Sequence, residues 1–115
     1  MSEQYYRENI KVIDLVSMSL IDLISELEKR QSILPERTIL SLDALIHGWF
    51  IGRGYEADKG VMQRFNTFIE KQYDVNTSHG WARIINHYST DGYEGLQKFF
   101  ELFNQFLKND SQNET

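Results

Sequence analysis

At 115 residues, with 41% hydrophobic and 13% aromatic content, the chain is long enough for one domain with a true core and too short for two. Its 17 acidic against 12 basic residues leave a formal charge of −5, which disfavours non-specific binding to nucleic acid or anionic membranes and favours neutral or basic partner surfaces. No cysteine is present, so disulfides, thiolate metal sites and cysteine nucleophiles are excluded, and the composition fits a reducing cytosol.

The stretch from Met1 to Asn9 mixes charges where a secretory signal needs an apolar run, and the longest apolar-rich segment, Leu45 to Gly52, is far too short to span a bilayer. A soluble cytoplasmic protein is expected. Ile10, Ile13, Leu20, Ile24 and Leu27 keep helical spacing if Ser17 fills the missing place. Ser19 with Asp22 makes a capping pattern, so the segment reads either as one helix from about Glu3 to Gln31 or as a short helix followed by a new start near Ser19. Pro35 ends this region and is expected in the first turn of a second helix. That helix carries Leu42, Leu45, Ile46, Trp49 and Phe50 on one wide face and stops near Gly52 and Gly54.

After a loop from Gly54 to Gly60, the residues Val61, Phe65, Phe68, Ile69 and Tyr73 define a third core helix. Thr77 or Ser78 is the expected N-cap of a shorter helix burying Trp81, Ile84, Ile85 and Tyr88, which ends by Thr90 and Asp91. Asp91 and Glu94 form a second capping pair, opening a last helix with Leu96, Phe99, Phe100, Phe103, Phe106 and Leu107 toward the core. The fold class is therefore all-α: one compact domain of five or six amphipathic helices over residues 1–108, with an aromatic core around Trp49, Phe65, Trp81, Ile85, Phe99 and Phe103. Residues 109–115 contain no apolar side chain and are expected to form a disordered polar tail.

Chemistry-bearing patterns are sparse. Asp43 and His47 stand one helical turn apart, the arrangement of a carboxylate-oriented imidazole, yet no second histidine lies at ligand spacing and an ordinary hydrogen bond explains the pair. His79 and His87 would differ by about 80° around a helix and so do not make a zinc site. The glycines Gly48, Gly52 and Gly54 interrupt the end of a helix, whereas a phosphate loop follows a strand; Gly48 and Gly52 are read instead as allowing another helix to pack close. Arg53, Tyr55, Lys59 and Arg64 are the basic, aromatic-bearing stretch a nucleic-acid reader would need, but Glu56 and Asp58 dilute it. No G-x-S-x-G elbow supports a serine nucleophile. Catalytic residues, metal ligands and cofactors are thus all expected to be none. From Asp14 to Glu28 the acids Asp14, Asp22, Glu26 and Glu28 occur without Lys or Arg, a candidate surface for a basic partner.

The run from Ser78 to Ile85 (SHGWARII), the run from Tyr93 to Phe106 (YEGLQKFFELFNQF) and the segment from Leu45 to Tyr55 together resemble short bacterial proteins of about this length, some of which serve as immunity partners for toxins. The resemblance assigns no functional residue. It implies a non-enzymatic inhibitor that occludes a partner such as a toxin's nuclease domain, where an acidic surface would steer association with a basic one. The alternative is a helical homodimeric regulatory or scaffold protein, ahead of a small helical enzyme or a DNA-binding protein.

Overall fold

The computed structural model describes residues 18–52, 59–77 and 79–114. Within them the chain is all-α, with helices α1 (Leu20–Lys29), α2 (Ile39–Gly52), α3 (Lys59–Tyr73), α4 (Trp81–His87) and α5 (Gly92–Glu114), and a 3-10 turn at Gln31–Ile33. The short α4 packs on α2, α3 and α5, and the long α5 also packs on α2 and α3.

The starts of α1, α2, α4 and α5 are each set by a particular oxygen or backbone angle. Ser19 has extended backbone and its Oγ accepts the Asp22 amide at 3.2 Å, so a helix starts at Leu20. Its stripe of Leu20, Leu23, Ile24 and Leu27 is buried, and each such side chain contributes about 1.5–3 kcal/mol. Leu34, before Pro35, is extended and buried. Pro35 does not enter the next helix, contrary to the reading from sequence, because Thr38 supplies the cap. Its Oγ1 accepts the Ser41 amide at 3.2 Å and its carbonyl the Leu42 amide at 3.1 Å. Proline presets φ but brings no capping oxygen, and the residue with the oxygen opens α2.

The start of α4 also differs from expectation. Ser78 lies outside the described residues, and Thr77 Oγ1 accepts the His79 amide at 3.2 Å instead of capping a helix. The N-cap is Gly80, with φ of 89°, a backbone that favours glycine. Trp81, Ala82, Ile84 and Ile85 are buried, whereas Tyr88 is 51% exposed and belongs to the surface. Its ring stacks on Tyr73 at 4.9 Å.

At the start of α5, Asp91 Oδ1 accepts the Glu94 amide at 2.8 Å. Glu94 reaches back to Thr90, accepting its hydroxyl at 2.7 Å and its amide at 3.2 Å. These two bonds, the hydroxyl's first, hold the Glu94 carboxyl below its ordinary pKa. The helix then runs to Glu114, past the boundary expected at Lys108. Asp110 explains part of this extension, since its carboxylate takes Arg64 Nε and Nη2 at 3.0 Å each and ties the last turns to α3.

Phe65 is the centre of the core. Its ring meets Trp81, Phe99, Phe103 and Phe106 edge-on at 5.7, 5.5, 5.1 and 5.4 Å. Such geometry adds about 0.5–1.5 kcal/mol per pair beyond burial. Trp49, Ile85, Phe99 and Phe103 are buried with it. The glycines that permit close approach are not Gly48 and Gly52, whose added Cβ would meet nothing within 4 Å, but two on α5. A Cβ on Gly92 would lie 2.8 Å from Thr38 Cβ, and one on Gly95 would lie 3.0 Å from Ile39 Cγ2. The first turns of α2 and α5 therefore touch backbone to side chain.

Candidate functional site

The row Ile21, Ser25, Glu28 on α1 faces the row Phe100, Phe103, Asn104, Leu107 on α5, each row at helical spacing. Between them runs a groove of about 170 Å3 that Ile24 and Asp22 also line. Its floor is apolar, since Ile24, Phe100 and Phe103 are buried, and Ile21 forms a wall that stays 40% exposed. Asp22 and Glu28 both line the groove, about 9 Å apart along α1 from the 1.5 Å rise per residue. Asn104 Nδ2 donates to Glu28 Oε1 at 3.3 Å and holds one of those carboxylates in place. No Lys, Arg or His lines the groove among the described residues.

The remaining acids singled out from sequence go elsewhere. Glu26 takes Arg30 Nε at 3.1 Å and is not part of the groove. Arg30 follows the acidic stretch in sequence, yet one helical turn brings it back onto Glu26. Asp14 lies outside the described residues, as do Arg53 and Tyr55 of the basic stretch. Arg64 of that stretch is committed to Asp110.

His47 Nδ1 lies 3.1 Å from the Asp43 carbonyl oxygen and 3.4 Å from its Oδ1, on a side chain 68% exposed. This is a surface contact within one helix turn. Among the described residues no three His, Asp or Glu side chains gather as a metal-holding group. His79 and His87 come to one cleft beside α4. The 80° helical separation does not apply to them, because His79 precedes the helix.

The α5 side of the groove carries no site signature in the sequence. Periodicity alone places Phe100, Phe103 and Leu107 in the core and gives no signal for Asn104. The available signal was the width of the α5 apolar face: Phe99, Phe100, Leu102, Phe103 and Phe106 are all buried, and a face that broad must meet more than one neighbour.

No family model matches the chain, and no curated protein or solved structure matches it either. Among the described residues no helix is long and apolar enough to cross a membrane.

Proposed function

We propose that the protein is a cytoplasmic, non-enzymatic binding protein of the bacterial toxin-inhibitor kind, which covers a basic partner by seating an apolar side chain of that partner in the α1–α5 groove. The observation that carries this reading is an apolar floor with two carboxylates, Asp22 and Glu28, and no cation among the described residues that line it. Interfaces concentrate their affinity where an apolar anchor enters a desolvated pocket, while a charged rim sets register and association rate. A nuclease-type toxin domain must hold a polyanion and so presents the basic surface that this rim complements.

The test is a photo-crosslinking residue at Ser25, inside the groove, with an exposed position on α3, Thr67, as control. The expected result is capture of a basic protein from the native lysate at Ser25 and not at Thr67, with the purified partner binding the Asp22→Lys, Glu28→Lys protein at least about tenfold more weakly. Equal capture at both positions, or crosslinks from Ser25 only into residues 1–17 of the same chain, would contradict the reading.

The homodimer alternative has one observation of its own. On α2, Leu40 and Ile51 are 49% and 62% exposed, and Ala44 and Gly48 lie exposed between them. A helix apolar on both sides normally has two apolar neighbours. A glycine inside an exposed helix also costs about 0.5–1 kcal/mol relative to alanine, and nothing among the described residues approaches Gly48 closely enough to require it. A second copy crossing at Gly48 would supply both. Light scattering at about 100 μM, a concentration that populates a micromolar dimer, should then show a dimer that Gly48→Leu dissociates; a monomer under those conditions rejects it.

A further inference from the structure

A second cleft, about 580 Å3 and open to solvent, lies against α4 and shares no residue with the acidic groove. Local backbone geometry builds it. The end of α3 closes with Asp74 at φ 53°, the Val75 amide donating to the Glu70 carbonyl at 3.0 Å and the Asp74 amide to Lys71 at 3.3 Å, which turns the chain sharply. Asn76 and Thr77 then pass along the cleft, the Thr77 Oγ1 contact with the His79 amide fixes His79 beside them, and Gly80 redirects the chain into α4. One turn apart on that helix, Arg83 and His87 face the same space.

The result is unusual for so acidic a chain. Against 17 acidic residues overall, this cleft is lined by one arginine and two histidines and by no carboxylate among the described residues. Arg83 has no ion pair among them either, whereas Arg30 and Arg64 are both engaged. Asn76 and Thr77 add neutral donors; the Thr77 oxygen accepts from His79, which leaves its own hydroxyl hydrogen to donate. Ile84 supplies a greasy wall, and the exposed Tyr88 ring is braced by Tyr73 and, edge-on at 4.9 Å, by His87. The carboxylates in the neighbourhood act elsewhere. Glu101 and Glu94 act on the Tyr73 hydroxyl, whose pKa is pushed up first by burial and then by these two charges, and Asp74 precedes the lining residues in sequence without lining the cleft.

We propose that this cleft binds the phosphate group of a phosphate monoester whose flat apolar portion lies along Ile84 and Tyr88. The cleft lies within the range of about 300–1,000 Å3 typical of small-molecule sites. An arginine fork with several further donors from separate segments suits three terminal oxygens better than the two of a carboxylate. The net charge of the whole chain opposes an anion at long range, so recognition rests on these short contacts.

Phenyl phosphate is the probe, titrated into the full chain by nuclear magnetic resonance, with inorganic phosphate and benzoate as comparators. Saturable binding with amide shifts confined to residues 75–88 is expected, together with at least tenfold weakening in Arg83→Gln and in His87→Ala, at about the scale of one charge-assisted contact. Arg37→Gln, an exposed arginine away from the cleft, should bind as the unmodified protein does. The proposal is overturned by absence of saturation up to about 10 mM, by equal affinity for inorganic phosphate or benzoate, by shifts spread over other helices, or by Arg83→Gln and His87→Ala proteins that keep their melting temperature and bind unchanged.

Discussion

The centre of the bundle and its α1–α5 edge share helix α5 but are held together by different means. At the centre, Phe65 is surrounded edge-on by four rings between 5.1 and 5.7 Å away, from α4 and α5. At the edge, the end of α1 and the turn after it are tied to α5 by amide contacts, Gln97 Nε2 to Gln31 Oε1 at 2.7 Å with its reciprocal at 3.3 Å, and Asn104 to Glu28. The difference teaches where stability and recognition reside. Packed rings tolerate no partner between them, whereas a polar seam over an apolar floor leaves room for one.

The comparison breaks most readily at its centre. Phe65→Ala removes a fully buried ring with five aromatic neighbours and is expected to destabilise by about 3–5 kcal/mol in denaturant unfolding. A loss below about 1 kcal/mol would mean that the centre relaxes to fill the space. Next in size is Gly92→Ala, where the new methyl must displace Thr38, itself the cap of α2; a loss of about 1–3 kcal/mol follows from overpacking. Gln97→Ala at the edge should be smaller, about 0.5–1.5 kcal/mol, from the two lost amide bonds. An effect there as large as at Phe65 would erase the distinction between the two regions.

The smallest effect is on pH. Glu94 has a folded pKa below its ordinary value, so its contribution is present above the unfolded value and lost as pH falls through the lowered folded one. Because this carboxylate is fully exposed, the expected outcome is local: lower protection of the Thr90 amide, relative to its intrinsic exchange rate, on the acid side, without global unfolding. Thr90→Val, which removes the hydroxyl bond and keeps the amide bond, should reduce that acid dependence without abolishing it.

How far these regions can be read from sequence follows the same division. Periodicity of 3.6 located the helices and the aromatic core, because Phe99, Phe103 and Phe106 repeat at the spacing that the fold buries. It misplaced what depends on single backbone angles or single oxygens. Thr38 outcompetes Pro35 for the start of α2, and Gly80 with φ of 89° displaces Thr77 at α4. Gly92 and Gly95 carry the close approach assigned to Gly48 and Gly52, since sequence shows where glycines are but not which neighbour they face. The sequence marks Asp22 as acidic surface, but its groove needs α5 to supply the floor, a tertiary contact between residues some eighty positions apart. His79 and His87 met at a cleft only because the chain turns between Asp74 and Gly80.

The central claim is that the edge groove, with its two carboxylates, is the face that meets a basic partner. Its most direct test is the association rate of the Ser25-captured partner with the unmodified protein and with Asp22→Lys, Glu28→Lys, each at low and at physiological ionic strength. The account predicts that the doubly substituted protein stays folded, losing about 1–2 kcal/mol with the Asn104–Glu28 bond and the acidic first turn of α1, while its association is slower and less dependent on salt. Equal association rates for the two proteins at both ionic strengths would contradict it.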